Sequence, residues 1–255
     1  MRIITANTNG IRAAARKGFF EWMETQNPDV VCIQETKAKL EQLSDPVFSP
    51  QGYHRYFFDA IKPGYSGTAI YCREKPEHVQ YGLGWDPIDS EGRYVRVDFP
   101  KLSVISLYMP SGSSGDVRQT VKYKLMDQIM DHFRELMAGP REVVICSDWN
   151  IVHTEKDIKN WRGNQKNSGC LPEERAWLDR LFGEERWVDA FREINQKDEQ
   201  YTWWSNRGQA WANNTGWRLD YQVVTPGLKN KVKSELIYKE QRFSDHSPLI
   251  MDYDI

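Results

Sequence analysis

Short apolar runs of strand length, rich in valine and isoleucine, recur along the 255-residue chain. They are RIITA (2–6), DVVCI (29–33), TAIYC (68–72), RVDF (96–99), SVISLY (103–108), EVVIC (142–146), DYQVV (220–224) and PLIMDY (248–253). Most are flanked by turn residues, and runs of this kind suit strands buried in a sheet sandwich. Helical periodicity alternates with them. It is clearest over 116–138, where Val121, Leu125, Ile129, Phe133 and Leu136 recur at spacings of three and four. Asp116 stands near the start of that stretch and Gly139-Pro140 supplies the stop. A second helix opens with Pro172 and carries Trp177, Leu178 and Leu181 on one face; a weaker one covers about 14–26 and ends before Asn27-Pro28. No Pro/Gly/Ser-rich linker, low-complexity tract or short-period repeat divides the chain, so residues 1–255 are expected to form one α/β domain.

Composition sets the class and little more. With 40% apolar and 27% charged residues the chain has ample material for a core and reads as a soluble globular protein. No apolar run approaches the ~20 residues that cross a bilayer. The start, MRIITANTNG, enters a strand-like run directly and has no signal-peptide pattern, so a cytoplasmic location is expected. Cys32, Cys72, Cys146 and Cys170 are far apart, and three lie inside apolar runs; reduced core thiols fit better than a zinc site. The balance of 34 basic against 36 acidic residues argues against a broad polyanion-binding surface and leaves room for a confined basic patch.

Six short stretches place an Asn, Glu, Tyr, Asp or His at the boundary of an apolar strand. They are TANTNG (5–10), QETK (34–37), LYMPSG (107–112), SDWN (147–150), WRLDY (217–221) and SDHSP (244–248). Each half of the chain contributes strands ending in groups that bind metal or phosphate, Asn7 and Glu35 early, Asp148 and Asn150 late. Any one such residue is more often a local turn or cap device. In an α/β architecture, however, binding groups collect at one end of the strands, so the six stretches are expected to converge on a single site.

In order and spacing, from Ile3 to Asp254, these motifs resemble the exonuclease III type apurinic/apyrimidinic endonucleases of the endonuclease/exonuclease/phosphatase superfamily. KNWRGNQKNSG (159–169), LPEERAWLD (171–179) and YTWWSNRGQA (201–210) extend the likeness. The resemblance implies a four-layered α/β sandwich, two packed mixed sheets flanked by helices, with the active site at one end of the sheets.

It also implies phosphodiester hydrolysis, which needs a charge clamp on the phosphoryl oxygens, an oriented water and help for the departing alkoxide. Mg²⁺, with Mn²⁺ able to substitute, would supply much of this through oxygen ligands. Glu35, the carboxylate directly after an apolar strand, is the expected principal ligand, with Asn7 supporting it by hydrogen bonding and Asp245 as a further ligand. By the same likeness His246 and Asp220 form a dyad, the carboxylate orienting the imidazole and favouring its charged form. Asp148 and Asn150, two apart, would point the same way as in a continued strand, with Trp149 turned into the packing between them. Asp148 is the candidate for activating the water or protonating the leaving oxygen, Asn150 for orienting, and Tyr108 for donating its phenolic hydrogen to the phosphate.

The implied partner is duplex DNA with abasic sites or damaged 3′ ends, acted on by a monomer. Lys156, Lys159, Arg162 and Lys166, interleaved with Trp161, Asn164 and Asn167, match the family's DNA-binding loop and suit backbone gripping without base reading. Asn9 and Lys37 are placed at the phosphate. Trp203 and Trp217 occupy positions where the family lines the pocket for a baseless sugar, and Leu219 completes the wall; Trp177, Trp187 and Trp204 are assigned to the core. The chain departs from the pattern at MPSGSSGD, with Ser111 where some relatives have Asn and no Arg near 114 to wedge into the duplex. Two rivals stand beside this reading, a lipid or inositol phosphate phosphodiesterase and a non-catalytic nucleic-acid-binding regulator of the same fold.

Overall fold

In a computed structural model, which describes residues 1–255, the apolar runs pair into two six-stranded sheets. The first has the order β13 (Val232–Ile237), β14 (Leu249–Tyr253), β1 (Arg2–Asn7), β2 (Val30–Gln34), β4 (Thr68–Cys72), β3 (His54–Phe58). The second runs β5 (His78–Tyr81), β6 (Tyr94–Asp98), β7 (Leu102–Tyr108), β8 (Glu142–Asp148), β12 (Asp220–Val224), β9 (Val188–Asp189). One pair in each sheet is parallel, β1 with β2 and β7 with β8, and the other pairs are antiparallel, so both sheets are mixed. A ribbon of β10 (Trp203–Trp204) and β11 (Gly216–Trp217) stands apart from them.

The unbroken apolar runs follow from burial on both strand faces. Along β8, Val144 and Cys146 enter a core between the sheets shared with Ile3, Cys32 and Ile70. The alternate residues Val143 and Ile145 face the other way, onto Leu125, Ile129 and Phe133 of α3 (Asp116–Ala138) and Trp177, Leu178 and Leu181 of α5 (Pro172–Phe182), which follows the single-turn α4 (Trp161–Asn164). On the far side, Ile4, Val31 and Ile33 pack against α1 (Ile11–Arg16) and α2 (Phe19–Gln26). The result is helix, sheet, sheet, helix, the expected four-layered sandwich. All four cysteines are free and buried. No helix is long and apolar enough to cross a membrane.

The structure corrects the expectation of one helix over 14–26. The segment forms α1 and α2, separated at Gly18, whose left-handed backbone (φ 83°) α-helix cannot accommodate. The strands β3, β5 and β13 have no counterpart in the apolar runs: each lies at a sheet edge or is half exposed, and mixed sequences such as HVQY and VKSELI blur the alternation.

Candidate active site

Strand direction brings the polar residues together. Asn7 and Tyr108 end the parallel strands β1 and β7, Asp148 ends β8 opposite Tyr108, and Glu35 follows β2 directly. Asp220 opens the antiparallel β12 directly opposite Asp148. The loop before β14 returns beside β1, where Ser244 Oγ donates to the Asn7 carbonyl at 2.6 Å. A cleft of about 870 Å³ at this end is lined by Glu35, Tyr108, Asp148, Asn150, Asp245 and His246, and its walls include Trp203, Trp217 and Leu219.

At the floor, Nδ1 of His246 lies 2.8 Å from Asp220 Oδ2 and Nε2 lies 3.8 Å from Asp148 Oδ2, all three residues buried. Burial disfavours the imidazolium, but the two carboxylates outweigh it and lift the His246 pKa to about 10. Burial pushes Asp148 up to about 7; the His246 charge opposes this, while the Asp220 and Glu35 charges reinforce it. Asp148, Asp220 and His246 offer ligand atoms within 4.8 Å of one another, a set able to hold a metal ion. With His246 protonated, the carboxylate oxygens are its donors.

Glu35 lines the same cleft. Burial alone would raise its pKa, yet Lys37 (2.7 Å) and the Tyr108 hydroxyl, which donates to Oε1 at 2.5 Å, hold it below the usual range. Glu35 is left-handed (φ 51°), a strained setting for a glutamate. Donation to its carbonyl by the Gly10 amide and the Thr8 hydroxyl keeps it there. Asn7 Nδ2 bridges Glu35 Oε1 (3.2 Å) and Asp148 Oδ2 (2.8 Å), while its Oδ1 accepts from the Asn9 amide. Asn7 therefore ties the two carboxylates together, and its Oδ1, with one hydrogen bond accepted, keeps a second lone pair. Each oxygen of Asp245 accepts one hydrogen bond, Oδ1 from Asn9 Nδ2 (2.9 Å) and Oδ2 from Trp203 Nε1 (3.1 Å), which orients the carboxylate and leaves it acceptor capacity. Lys37 Nζ also donates to Asn9 Oδ1.

The SDWN stretch differs from the continued strand expected of it. The strand stops at Asp148, and Asn150 turns left-handed (φ 52°) so that its amide donates to Asp148 Oδ1 at 2.9 Å. This is an Asx-type turn, a conformation Asn tolerates through its short polar side chain. Trp149 is fully buried as anticipated. Asn150 Nδ2 donates to the Met109 carbonyl (2.9 Å) and lies 3.4 Å from Asp148 Oδ2, so the two side chains do share the cleft, by a different route.

The aromatic wall is tied to the floor. Trp203 and Trp217 meet edge to face at 5.9 Å, and they pack with Leu219 on a small apolar cluster of Val152, Ile158 and Cys170. Trp177, Trp187 and Trp204 are core residues, as expected.

The basic loop divides. Lys166 and Asn167 line the catalytic cleft. Lys159 and Trp161 instead line a separate cavity of about 820 Å³, together with Arg192 and Tyr201. Lys159 pairs with Glu199, and Trp161 lies under the Arg175 guanidinium at 4.6 Å. Asn164 donates to the carbonyls of Lys159 and Asn160 and accepts from Asn167, holding the loop's own fold. The structure thus does not bring Lys159, Trp161 and Asn164 to the reacting groups; local pairing and packing use them first.

Three contributors escaped the sequence reading. Buried Arg93 donates to the Tyr108 carbonyl (2.9 Å) and lies 4.5 Å from the centre of its ring, and nothing in EGRYVRV marks it. Lys122 and Glu174 form a fully buried pair behind Asn150. Here a signal existed: Lys122 falls on the apolar stripe of α3, three residues before Leu125, where a lysine is out of place.

A sandwich of two mixed sheets with acids and an imidazole gathered at their strand ends defines a class of α/β fold, and comparison with known proteins makes the class specific. Residues 4–246 match the model of the Endonuclease/Exonuclease/phosphatase family, and the chain belongs to that family. An exodeoxyribonuclease of Bacillus subtilis strain 168 is 36% identical over 251 residues, covering 98% of each chain. A DNA-(apurinic or apyrimidinic site) endonuclease of Dictyostelium discoideum is 33% identical, covering 100% of this chain and 71% of the relative. The solved structure of an AP endonuclease from Archaeoglobus fulgidus superposes with a TM-score of 0.88 at 26% identity, covering all of both chains.

Proposed function

We propose that this chain is a metal-dependent DNA repair nuclease that hydrolyses the phosphodiester 5′ to an abasic site in duplex DNA. The same cleft would serve 3′-phosphodiesterase and 3′–5′ exonuclease activity at damaged ends. The observation that carries this reading is the placement of a charged His246–Asp220 dyad, Asp148 and Glu35 beneath an indole-walled slot in one cleft. Relatives bearing the names exodeoxyribonuclease and AP endonuclease support the substrate.

Glu35, Asp148 and Asp245 line this cleft and Asp220 stands behind His246, and the ion pairs of these four carboxylates are made by Lys37 and His246 alone. An oxygen-rich, charge-deficient donor set of this kind fits Mg²⁺, with Mn²⁺ able to substitute. Glu35 would be the principal ligand, with Asn7 supporting the site by hydrogen bonding and Asp245 as a further ligand. Bound there, the ion would withdraw charge from the phosphoryl oxygens and the leaving oxygen.

The chain's own groups do the rest. Asp148, with its pKa near 7, takes the proton of the attacking water, and at neutral pH such a group accepts and releases protons readily. Asn150 orients that water. His246, kept charged by Asp220, donates from Nε2 to a phosphoryl oxygen, and the Tyr108 hydroxyl donates to another. Trp203, Trp217 and Leu219 close around the sugar, which enters without a base to unstack. Lys166 and Asn167 meet the backbone at the rim. Ser111, Gly112 and Ser113 put no long side chain there to wedge into the duplex.

The test is incubation with a duplex carrying one abasic analogue, with Mg²⁺ or with EDTA, beside a phosphoinositide control. Cleavage 5′ to the lesion only with Mg²⁺ is expected. Intact DNA would favour the regulator, and phosphoinositide hydrolysis with intact DNA the lipid phosphodiesterase.

A further inference from the structure

Lys122 lies on the buried face of α3, and its side chain is wholly out of solvent. Its Nζ donates to Glu174 Oε1 at 2.5 Å and to the main-chain carbonyl of Asn150 at 2.8 Å. Glu174, equally buried, accepts through Oε2 from the amides of Gly169 (2.6 Å) and Leu171 (3.0 Å), and through Oε1 from Gln119 Nε2 (3.0 Å). One ion pair therefore joins the turn after β8, the loop on the cleft wall and the first turn of α5.

The contacts are close on every side. Asn150 holds its left-handed backbone with its carbonyl aimed at Lys122. A Cβ on Gly169 would come within 3.0 Å of that carbonyl and 3.1 Å of the Trp217 ring, and Gly169 is itself left-handed (φ 92°). Val152 donates to the Gly169 carbonyl at 2.8 Å, closing the loop onto the segment after Asn150. Stability alone does not account for such a pair. Desolvating two charges consumes most of what their attraction returns, and apolar side chains of similar volume pack as well or better.

We propose that the Lys122–Glu174 ion pair is a positioning device that fixes the Asn150 amide and the Gly169–Trp217 wall relative to each other around the reacting phosphate. Neither residue touches substrate. The inference rests on the nuclease reading of the cleft, and it assigns the pair to the chemical step, not to DNA binding. A displacement of about 1 Å at a reacting group costs on the order of 10²-fold in rate.

The test compares wild type with the doubly neutral variant Lys122→Met/Glu174→Gln, in which no buried charge is left unpaired. It reads kcat and KM on an abasic duplex, thermal stability, and the amide resonances and hydrogen exchange of Asn150 and Gly169. Expected are a folded protein, kcat lower by about 100-fold, KM within about twofold, and displaced, faster-exchanging amides at both positions. Unchanged kcat in the folded variant would overturn the proposal. Failure of the variant to fold would overturn it too, by assigning the pair to stability. Should wild type leave abasic DNA intact, the nuclease reading falls, whereas unmoved Asn150 and Gly169 resonances would refute the coupling itself without reference to activity.

Discussion

His246 and Asp220 meet at 2.8 Å between Nδ1 and Oδ2, an orientation that sends the opposite ring nitrogen toward Asp148 at 3.8 Å. One imidazole is thus held between two buried carboxylates. Its charge is a consequence of both, because burial on its own would have favoured the neutral ring.

Asp220→Asn removes the larger of these supports and the constraint on the ring. A fall in kcat of about 10²- to 10⁴-fold is expected, with little change in affinity for abasic duplex. Steady-state kinetics beside a filter-binding titration checks this. A variant with near-normal kcat would take the dyad out of the mechanism.

In the proposed mechanism Glu35 is the carboxylate that would hold the metal. Glu35→Gln keeps its shape and its bond from Tyr108 but removes the charge. The Mg²⁺ concentration for half-maximal cleavage is expected to rise by about tenfold or more, the scale on which even supporting ligands act. An unmoved metal titration would show that another residue is the main ligand.

A third prediction concerns the frame around the cleft. Arg218, fully buried between the wall residues Trp217 and Leu219, donates to Asp157 and to Asp189, both at 2.7 Å. Burial would raise the Asp157 pKa, but Arg218 and Arg192 hold it well below the usual carboxylate range. A depressed native pKa gives stability that is fully present above the unfolded value, about 4, and lost as pH falls through the native value. Asp157→Asn should therefore cost about 3 kcal/mol at pH 7, with the deficit shrinking below about pH 4. Urea unfolding of both proteins at pH 7 and pH 3 measures it; a deficit independent of pH would mean that the charge is not what Asp157 contributes.

Much of this architecture was legible in the chain. The central strands announced themselves because burial on both faces leaves them few polar positions, and RIITA, DVVCI and EVVIC all fall on or within a residue of observed strands. Edge strands such as β5 and β13 were hidden because solvent on one side admits Gln, Lys and Glu. The site residues at strand ends were readable through their order and spacing. Local geometry was not: the left-handed turn at Asn150 depends on its own amide finding Asp148, and the occupation of Lys159 by Glu199 depends on a segment 40 residues away. Arg93 and Glu174 were least visible, since a buried charge looks like a surface one until its partner is seen, whereas Lys122 had left a sign by its place on the apolar stripe of α3.

Asp148 lies where every line of this account meets, bonded by Asn7 and Asn150 and facing His246. The most direct measurement is single-turnover cleavage of an abasic duplex by wild type and Asp148→Asn, with affinity for the same DNA determined in parallel. Loss of at least about 10³-fold in rate with affinity within a few fold is predicted. Retention of the wild-type rate would contradict the assignment of the water-activating step to this carboxylate.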